Sequence, residues 1–174
     1  FDFLLESGES FTAPEVMLSF SAEGFGKLSR NYHRAIRENI CRGKFKKARR
    51  PILINNWEAT YFGFDTDKLL EIARQAKEVG IEMLVMDDGW FGKRDDDNSG
   101  LGDWVVNERK LPGGLKRLVD GVNEIGLKFG IWFEPEMVSE DSDLYRKHPD
   151  WALTVPGHSV TRGRNQLVLD FSRE

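Results

Sequence analysis

Three short apolar runs recur along this chain, and each one stops abruptly at polar and aromatic residues. They are residues 51–57 (PILINNW), 82–90 (EMLVMDDGW) and 127–136 (LKFGIWFEPE). The stretches between them carry a helical period instead. In 65–80, Leu69, Leu70, Ala73, Ala76 and Val79 form one stripe, with Asp65 or Thr66 to cap the start and Gly80 to end it. In 111–126, Leu115, Leu118, Val119, Val122 and Ile125 do the same, and Gly126 closes the helix. Strand, helix, strand, helix, strand is the order of βα units, so the fold class is α/β with a parallel sheet. The unbroken Ile52-Leu53-Ile54 predicts a first strand buried on both faces. Parallel sheets, closed as barrels or open, place their sites at the C-terminal ends of the strands.

The flanks read differently. Residues 1–23 carry turn residues at Gly8 and Pro14 and a strand-like Val16 to Phe20, the tail of a β-rich unit. Residues 24–50 are a linker helix and basic connection; the helical period runs over 24–40, with Leu28, Tyr32, Ala35, Ile36 and Ile40 on one face, and Gly43 is a stop. A basic run follows, containing Lys44, Lys46, Lys47, Arg49 and Arg50, which is a solvated connection or a polyanion contact. Residues 51–174 are the α/β part. Within it, 92–107 is a polar loop, 141–147 a short helix, 148–164 a long loop, and 166–171 an extended run ending at Asp170 and followed by a possible helix cap, Ser172. Local pattern alone makes that last run a fourth strand. The chain lacks an initiator Met and a signal peptide, and both ends read as cut from something longer.

Composition removes several classes of function. Lys plus Arg is 25 against 29 Asp plus Glu, a net charge of -4, which leaves no footprint for nucleic acid. No apolar run approaches the ~20 residues of a membrane span. Cys41 is the single cysteine, so no internal disulfide and no cysteine metal cluster can form, and a reducing, cytoplasmic compartment is the expectation. Asp95 to Gly100 resembles the start of a calcium loop, but its twelfth position is Val106 rather than Glu. His33, His148 and His158 are scattered, without zinc-site spacing. Neither a Gly-rich phosphate cradle nor a GxSxG elbow occurs. The expectation is no metal and no cofactor.

Carboxylates and aromatics remain. Asp87 and Asp88 adjoin at a strand tip, where two charges repel and cost desolvation unless they serve a cation, an arginine or hydroxyl groups. They either cap local backbone or face a ligand. Trp57, Trp90 and Trp132 are core residues or flat surfaces for a sugar ring. Glu134 and Glu136 are acid–base groups or solvated loop charges, and Arg162 and Arg164 are surface cations or anchors for a hydroxyl.

These residues sit in motifs with a family resemblance. PILINNWEATYF, LVMDDGWFGKRDDD, LGDWVVNERKLPGGL, GIWFEPEMV, HPDWAL and GRNQLVLDFS, in that order, resemble the family 36 glycoside hydrolases, chiefly microbial α-galactosidases. GESFTAPEVMLSFSAEGFGKLSRNYH resembles that family's junction between an N-terminal β-sandwich and a catalytic barrel. The resemblance implies a partial (β/α)8 TIM barrel of about the first three βα units, preceded by a sandwich tail and linker helix. It implies removal of terminal α-linked galactose with retention, by two aspartates about 5–5.5 Å apart. The nucleophile of the family follows a Lys-Trp-Asp type motif, which this chain does not contain, so the catalytic pair is expected downstream of Glu174 and the chain alone is expected to be inactive. Substrate binding is carried over to Trp57, Asp87, Asp88, Trp132 and Arg164, and 166–170 becomes an extended segment before the fourth strand. The implied partner is an α-galactoside oligosaccharide, and the full-length protein is expected to self-associate. An α-N-acetylgalactosaminidase, a galactosyl-transferring enzyme, a non-catalytic sugar-binding module and a metal-dependent barrel hydrolase stand as alternatives. Were the chain active alone, Asp87, Glu134 and Asp170 would be its catalytic candidates.

Overall fold

The computed structural model describes residues 4–160 and 162–173. The chain is mixed α/β and divides into two compact units, Phe1–Arg50 and Pro51–Glu174.

In the first unit, helix α1 spans Gly24–Ala35 and continues as one wider turn over Ile36–Ile40, closed by Cys41 N–H donating to the Ile36 carbonyl at 2.9 Å. Leu28, Tyr32 and Ala35 are half-buried, whereas Ile36 and Ile40 are exposed. The Tyr32 hydroxyl donates to the Met17 carbonyl at 3.1 Å. The strand expected at Val16 to Phe20 makes no ladder with any described residue, and Val16, Leu18 and Phe20 are exposed. A strand pattern needs a neighbouring edge to become a strand, and none of the described residues of this unit offers one.

The second unit is built on a parallel sheet of β1 (Leu53–Asn55), β2 (Met83–Met86) and β3 (Lys128–Ile131), in that spatial order. Leu53 pairs with Met83 and Leu84 with Phe129. The connections run through α2 (Trp57–Thr60) and α3 (Thr66–Glu78) after β1, and through α4 (Gly114–Glu124) after β2. Asp65 caps α3, its carboxylate accepting from Lys68 N–H at 2.8 Å. Leu69, Ala73 and Ala76 of α3, Leu118 and Val122 of α4, and Leu84 and Met86 of β2 form the core with Phe91, Leu101 and Leu111. Helices α3 and α4 approach closely because Gly121 lacks a side chain: a Cβ there would lie 2.7 Å from Leu70 Cδ2.

Several expectations change here. Among the described residues β1 has one neighbour, β2, and Ile52 and Leu53 are 54% and 52% exposed. Apolar composition records what a strand can bury, while the number of neighbours decides what it does bury. Val79, at the end of the α3 stripe, is exposed past the last covered turn. Residues 166–171 contribute no fourth parallel strand. Instead β6 (Gln166–Val168) pairs antiparallel with both β4 (Met137–Val138) and β5 (Arg162–Gly163), in a separate sheet. Arg164 and Asn165 make the tight β5–β6 turn, with φ of 53° and 62°.

The loop 92–107 is polar in sequence yet buries Arg94 and Leu101. It is held by the bridges Phe91–Val106 and Ser99–Asp141. Helix α5 (Asp143–Lys147) is capped by Ser142 and by Asp103, whose carboxylate accepts from Asp143 and Leu144 N–H, both at 2.9 Å. No helix among the described residues is long and apolar enough to cross a membrane.

Candidate functional site

The C-terminal tips of β1, β2 and β3 lie side by side, because three parallel strands in register end together. This brings Asn55 and Asn56, Asp87 and Asp88, and Trp132 to one edge of the sheet, with Glu134 just beyond.

Asp87 is held from below by the two asparagines. Asn56 is fully buried, and its side-chain oxygen accepts from Asp87 N–H at 2.8 Å. Asn55 Nδ2 donates to Asp87 Oδ2 at 2.5 Å, while Asn55 Oδ1 accepts from Trp57 N–H at 2.7 Å. Asp87 Oδ1 accepts from Asp88 N–H at 2.7 Å. The half-buried Asp87 carboxylate is thus fixed, yet still has lone pairs to offer.

Asp88 is placed differently. It is 3% exposed, and its carboxylate is gripped by Arg94, which is itself fully buried. Arg94 Nε donates to Oδ1 and Oδ2 at 2.9 and 3.1 Å, and Nη2 donates to Oδ2 at 2.8 Å. Nη1 donates to the Ser99 carbonyl at 3.0 Å. The arginine partner that adjacent carboxylates call for therefore exists for Asp88, six residues along the chain.

The turn that returns Arg94 to Asp88 depends on Gly89, with φ 104°; a Cβ there would meet Phe62 Cδ1 at 3.0 Å. Lys110 ties this turn to the loop after β1. Its Nζ donates to the carbonyls of Phe62, Gly89 and Arg94, each at 3.0 Å, and sits 3.1 Å from Asp95. The Lys110 hydrogen bond, with help from Arg109, holds the Asp95 carboxyl below its ordinary range despite partial burial. Asp95 of the calcium-like loop is thus engaged by cations, and Asp96 accepts from Asn98 N–H at 2.8 Å. No group of three or more His, Cys, Asp or Glu among the described residues is arranged to hold a metal.

The tryptophans separate into two kinds. Trp90 is 2% exposed, buried against Phe91, Trp104 and Phe133, with its indole N–H donating to the Trp132 carbonyl at 3.0 Å. It is a core residue and offers no face to a ligand. Trp57 and Trp132 are half-buried. Trp57 packs edge-to-face against Tyr61 and Phe62, with centroids 5.2 and 5.0 Å away, and Trp132 leans on Trp104 at 6.4 Å. Tyr61 has φ 45° and ψ -129°, in a turn closed by Gly63 N–H donating to the Thr60 carbonyl at 2.9 Å. A side chain in that region costs on the order of 1–3 kcal/mol.

Glu134 has a buried Oε2 without a hydrogen-bond partner. Burial pushes its carboxyl above the usual range; Arg164 pulls it down, Glu136 pushes it up, and Arg94 and Asp88 add smaller opposing effects. The β5–β6 turn thus carries the charge of Arg164 into the surroundings of Glu134. Arg162 instead pairs with Glu140 at 2.8 Å. Asp170 accepts from the Ser172 hydroxyl and N–H at 2.6 and 3.0 Å, and these bonds hold its carboxyl below the ordinary range. It lies beside Leu144, Trp151 and Phe171. The residues that sequence reasoning missed are Arg94, Lys110 and Tyr61.

The family model described as Melibiase matches residues 10–174. The chain is 59% identical over its whole length to the bifunctional alpha-galactosidase/sucrose kinase AgaSK of Mediterraneibacter gnavus, and covers 19% of that protein. It is likewise 59% identical over its whole length to alpha-galactosidase AgaA of Geobacillus stearothermophilus, covering 24% of it. A crystal structure of a variant of that GH36 enzyme in complex with raffinose superposes with a TM-score of 0.80 at 62% identity, over 84% of this chain and 20% of the other. The chain therefore spans about a fifth to a quarter of the length of the curated relatives it matches.

Proposed function

The chain belongs to the melibiase family of glycoside hydrolases, and from that premise we propose that it is part of a retaining α-galactosidase acting on terminal α-linked galactose in melibiose and raffinose-type sugars. In this reading 51–174 is the first part of a (β/α)8 barrel, 24–50 a linker and 1–23 the end of a β-sandwich. Trp57, Asp87, Asp88, Trp132 and Arg164 bind galactose. The nucleophile and the acid/base come from barrel strands beyond Glu174. A cytoplasmic location, with which the free cysteine Cys41 is compatible, and self-association of the full-length enzyme belong to the same proposal.

The observation that carries the reading is the pair of carboxylates at the tip of β2, each held rigidly by its own donors. Asp87 keeps acceptor sites beyond Asn55 and Asp88 N–H. A carboxylate has about four such sites, and on Asp88 the two N–H groups of Arg94, one shared between both oxygens, leave part of that capacity to a ligand. Fixed acceptors select a sugar by stereochemistry. An epimer whose hydroxyl points elsewhere leaves a desolvated carboxylate unpaired, and that is costly. Trp57 and Trp132 supply apolar faces for the C–H side of the ring, and Arg164 supplies a donor. Relatives crystallised with raffinose and with stachyose support this substrate class.

The test is kinetic. In the full-length enzyme, Asp87→Ala should lower kcat/KM on a chromogenic α-galactoside by about 100-fold, the scale of a lost hydrogen bond to a charged group. Near-normal kinetics would sink the assignment. The 174-residue chain alone should be inactive beside an active parent. Turnover by the chain alone would move the catalytic assignment to Asp87, Glu134 and Asp170.

A further inference from the structure

We infer that Asn55 is a positioning residue for galactose binding, its one side-chain amide setting the Asp87 carboxylate and the Trp57 ring at a fixed spacing. The inference rests on the α-galactosidase reading and deepens it, since that reading gives Asn55 no part in the site.

Register gives the first indication. Asn55 stands opposite Val85 in the parallel ladder. Facing residues share a side of the sheet, and so do residues two apart on one strand. The Asn55 side chain therefore projects on the face that carries Asp87. Its amide meets two partners of opposite need. Trp57 N–H can only donate, and takes Oδ1 at 2.7 Å. The Asp87 carboxylate, when ionised, can only accept, and takes Nδ2 through its Oδ2 at 2.5 Å. The two partners fix the orientation of the amide between them. Its oxygen and nitrogen belong to one planar group, so a shift of Asp87 is carried to Trp57.

Length gives the second. Helix α2 has four residues, Trp57–Thr60. A single turn of helix closes too few hydrogen bonds to hold itself in place. Its position is set from outside, and both of its ends are tied to Asp87. The first residue is tied through Asn55. The last is tied through Asn56, whose Nδ2 donates to Thr60 Oγ1 at 2.8 Å while its Oδ1 accepts from Asp87 N–H at 2.8 Å. All of these bonds run between residues 55 and 87.

The difference between the two asparagines gives the third. Asn56 is fully buried and holds Asp87 by its backbone, which already joins the two strand tips. Asn55 holds the carboxylate itself, the group that would meet a sugar hydroxyl. With Asn55 on one oxygen and Asp88 N–H on the other, the carboxylate cannot turn, and its remaining lone pairs keep one direction.

The experiment uses the full-length enzyme and p-nitrophenyl α-galactoside, with two variants compared with the parent from about pH 4 to 8. Asn55→Asp keeps the shape of the side chain and still accepts from Trp57 N–H, but it sets a second carboxylate against Asp87. Two carboxylates so close share one proton in acid and repel once both are ionised. The kcat/KM of Asn55→Asp relative to the parent should lie within about twofold of unity in acid, then fall about tenfold as pH rises, mainly through KM. The charged groups around this edge, Glu58, Asp88, Arg94, Lys110, Glu134 and Arg164, are common to both proteins and cancel in the ratio. Asn55→Ala lacks both tethers and should lose about tenfold at every pH, again in KM, at a temperature where circular dichroism shows it folded. Where alanine does not fold, the pH profile of Asn55→Asp decides alone. A ratio for Asn55→Asp that is flat with pH would overturn the inference, as would a folded Asn55→Ala with the KM of the parent. A parent that does not hydrolyse the galactoside would instead overturn the α-galactosidase reading.

Discussion

Arg94 and Asp88 form a buried, two-nitrogen ion pair, with side chains 0% and 4% exposed and a closest contact of 2.8 Å. Such a pair contributes little net stability compared with apolar residues of equal size, but breaking it is expensive. Arg94→Met leaves a buried carboxylate without its partner and should cost about 3–5 kcal/mol in urea denaturation of the full-length enzyme. Arg94→Lys keeps the charge but loses the fork, and should fall between the two. A loss below about 1 kcal/mol for Arg94→Met would show that water replaces the arginine.

Lys110 joins two loops through three carbonyls, each at 3.0 Å. Lys110→Met removes the shared donor, and an unsatisfied buried carbonyl costs about 1–3 kcal/mol, so a loss of at least ~3 kcal/mol is expected. The pH dependence should change too. Asp95 is depressed first of all by Lys110, so the stability it contributes is present above its unfolded value and lost as pH falls through the folded one. The variant should therefore lose less stability than the parent on acidification through the carboxylate range. Parallel acid limbs would show that Asp95 does not depend on Lys110.

Glu134 carries the opposite sign. Burial raises its carboxyl, so its contribution is full below the unfolded value of about 4.3 and is lost as pH rises through the folded value. Glu134→Gln should match the parent near pH 4 and melt at a higher temperature at pH 7 to 8. Tm measured across that range decides the matter: a gap independent of pH would mean that the buried charge is not the cause.

Gly121 sets the distance between α3 and α4. Alanine there gains about 0.8–1 kcal/mol of helix propensity but collides with Leu70 Cδ2, 2.7 Å from the new Cβ. Overpacking of this kind costs about 1–3 kcal/mol, so Gly121→Ala should be destabilising by about 1 kcal/mol. In a Leu70→Ala background the same change should become stabilising. A double-mutant cycle with no coupling would show that Leu70 simply turns aside.

Much of this layout was legible in the sequence, for identifiable reasons. Helix α3 announces itself through Asp65, its apolar stripe and Gly80, all local signals. The strand tips are legible because apolar runs ending at Asn55, Asp87 and Trp132 change character within one or two residues. Arg94 was hidden because it stands in GKRDDD, where neighbouring charges make it look solvated; only the turn at Gly89 carries it inside. Trp90 looks like Trp57 in sequence, each following a polar pair or an acidic tip, and it is tertiary packing that buries one and half-exposes the other. The exposure of Ile52 and the antiparallel pairing of Gln166–Val168 depend on which strands lie alongside, and no window of residues records that.

The order β1-β2-β3 in space is also the order of synthesis. Leu53 waits for Met83, and Met83 for Lys128, so β2 and β3, on emerging from a ribosome, each find the edge they need already made. Within this parallel sheet no pairing among the described residues reaches back past an intervening strand, and loop closure is kept to neighbouring units. The parallel sheet can grow from one side as the chain lengthens, each new strand covering the edge that the previous one left open.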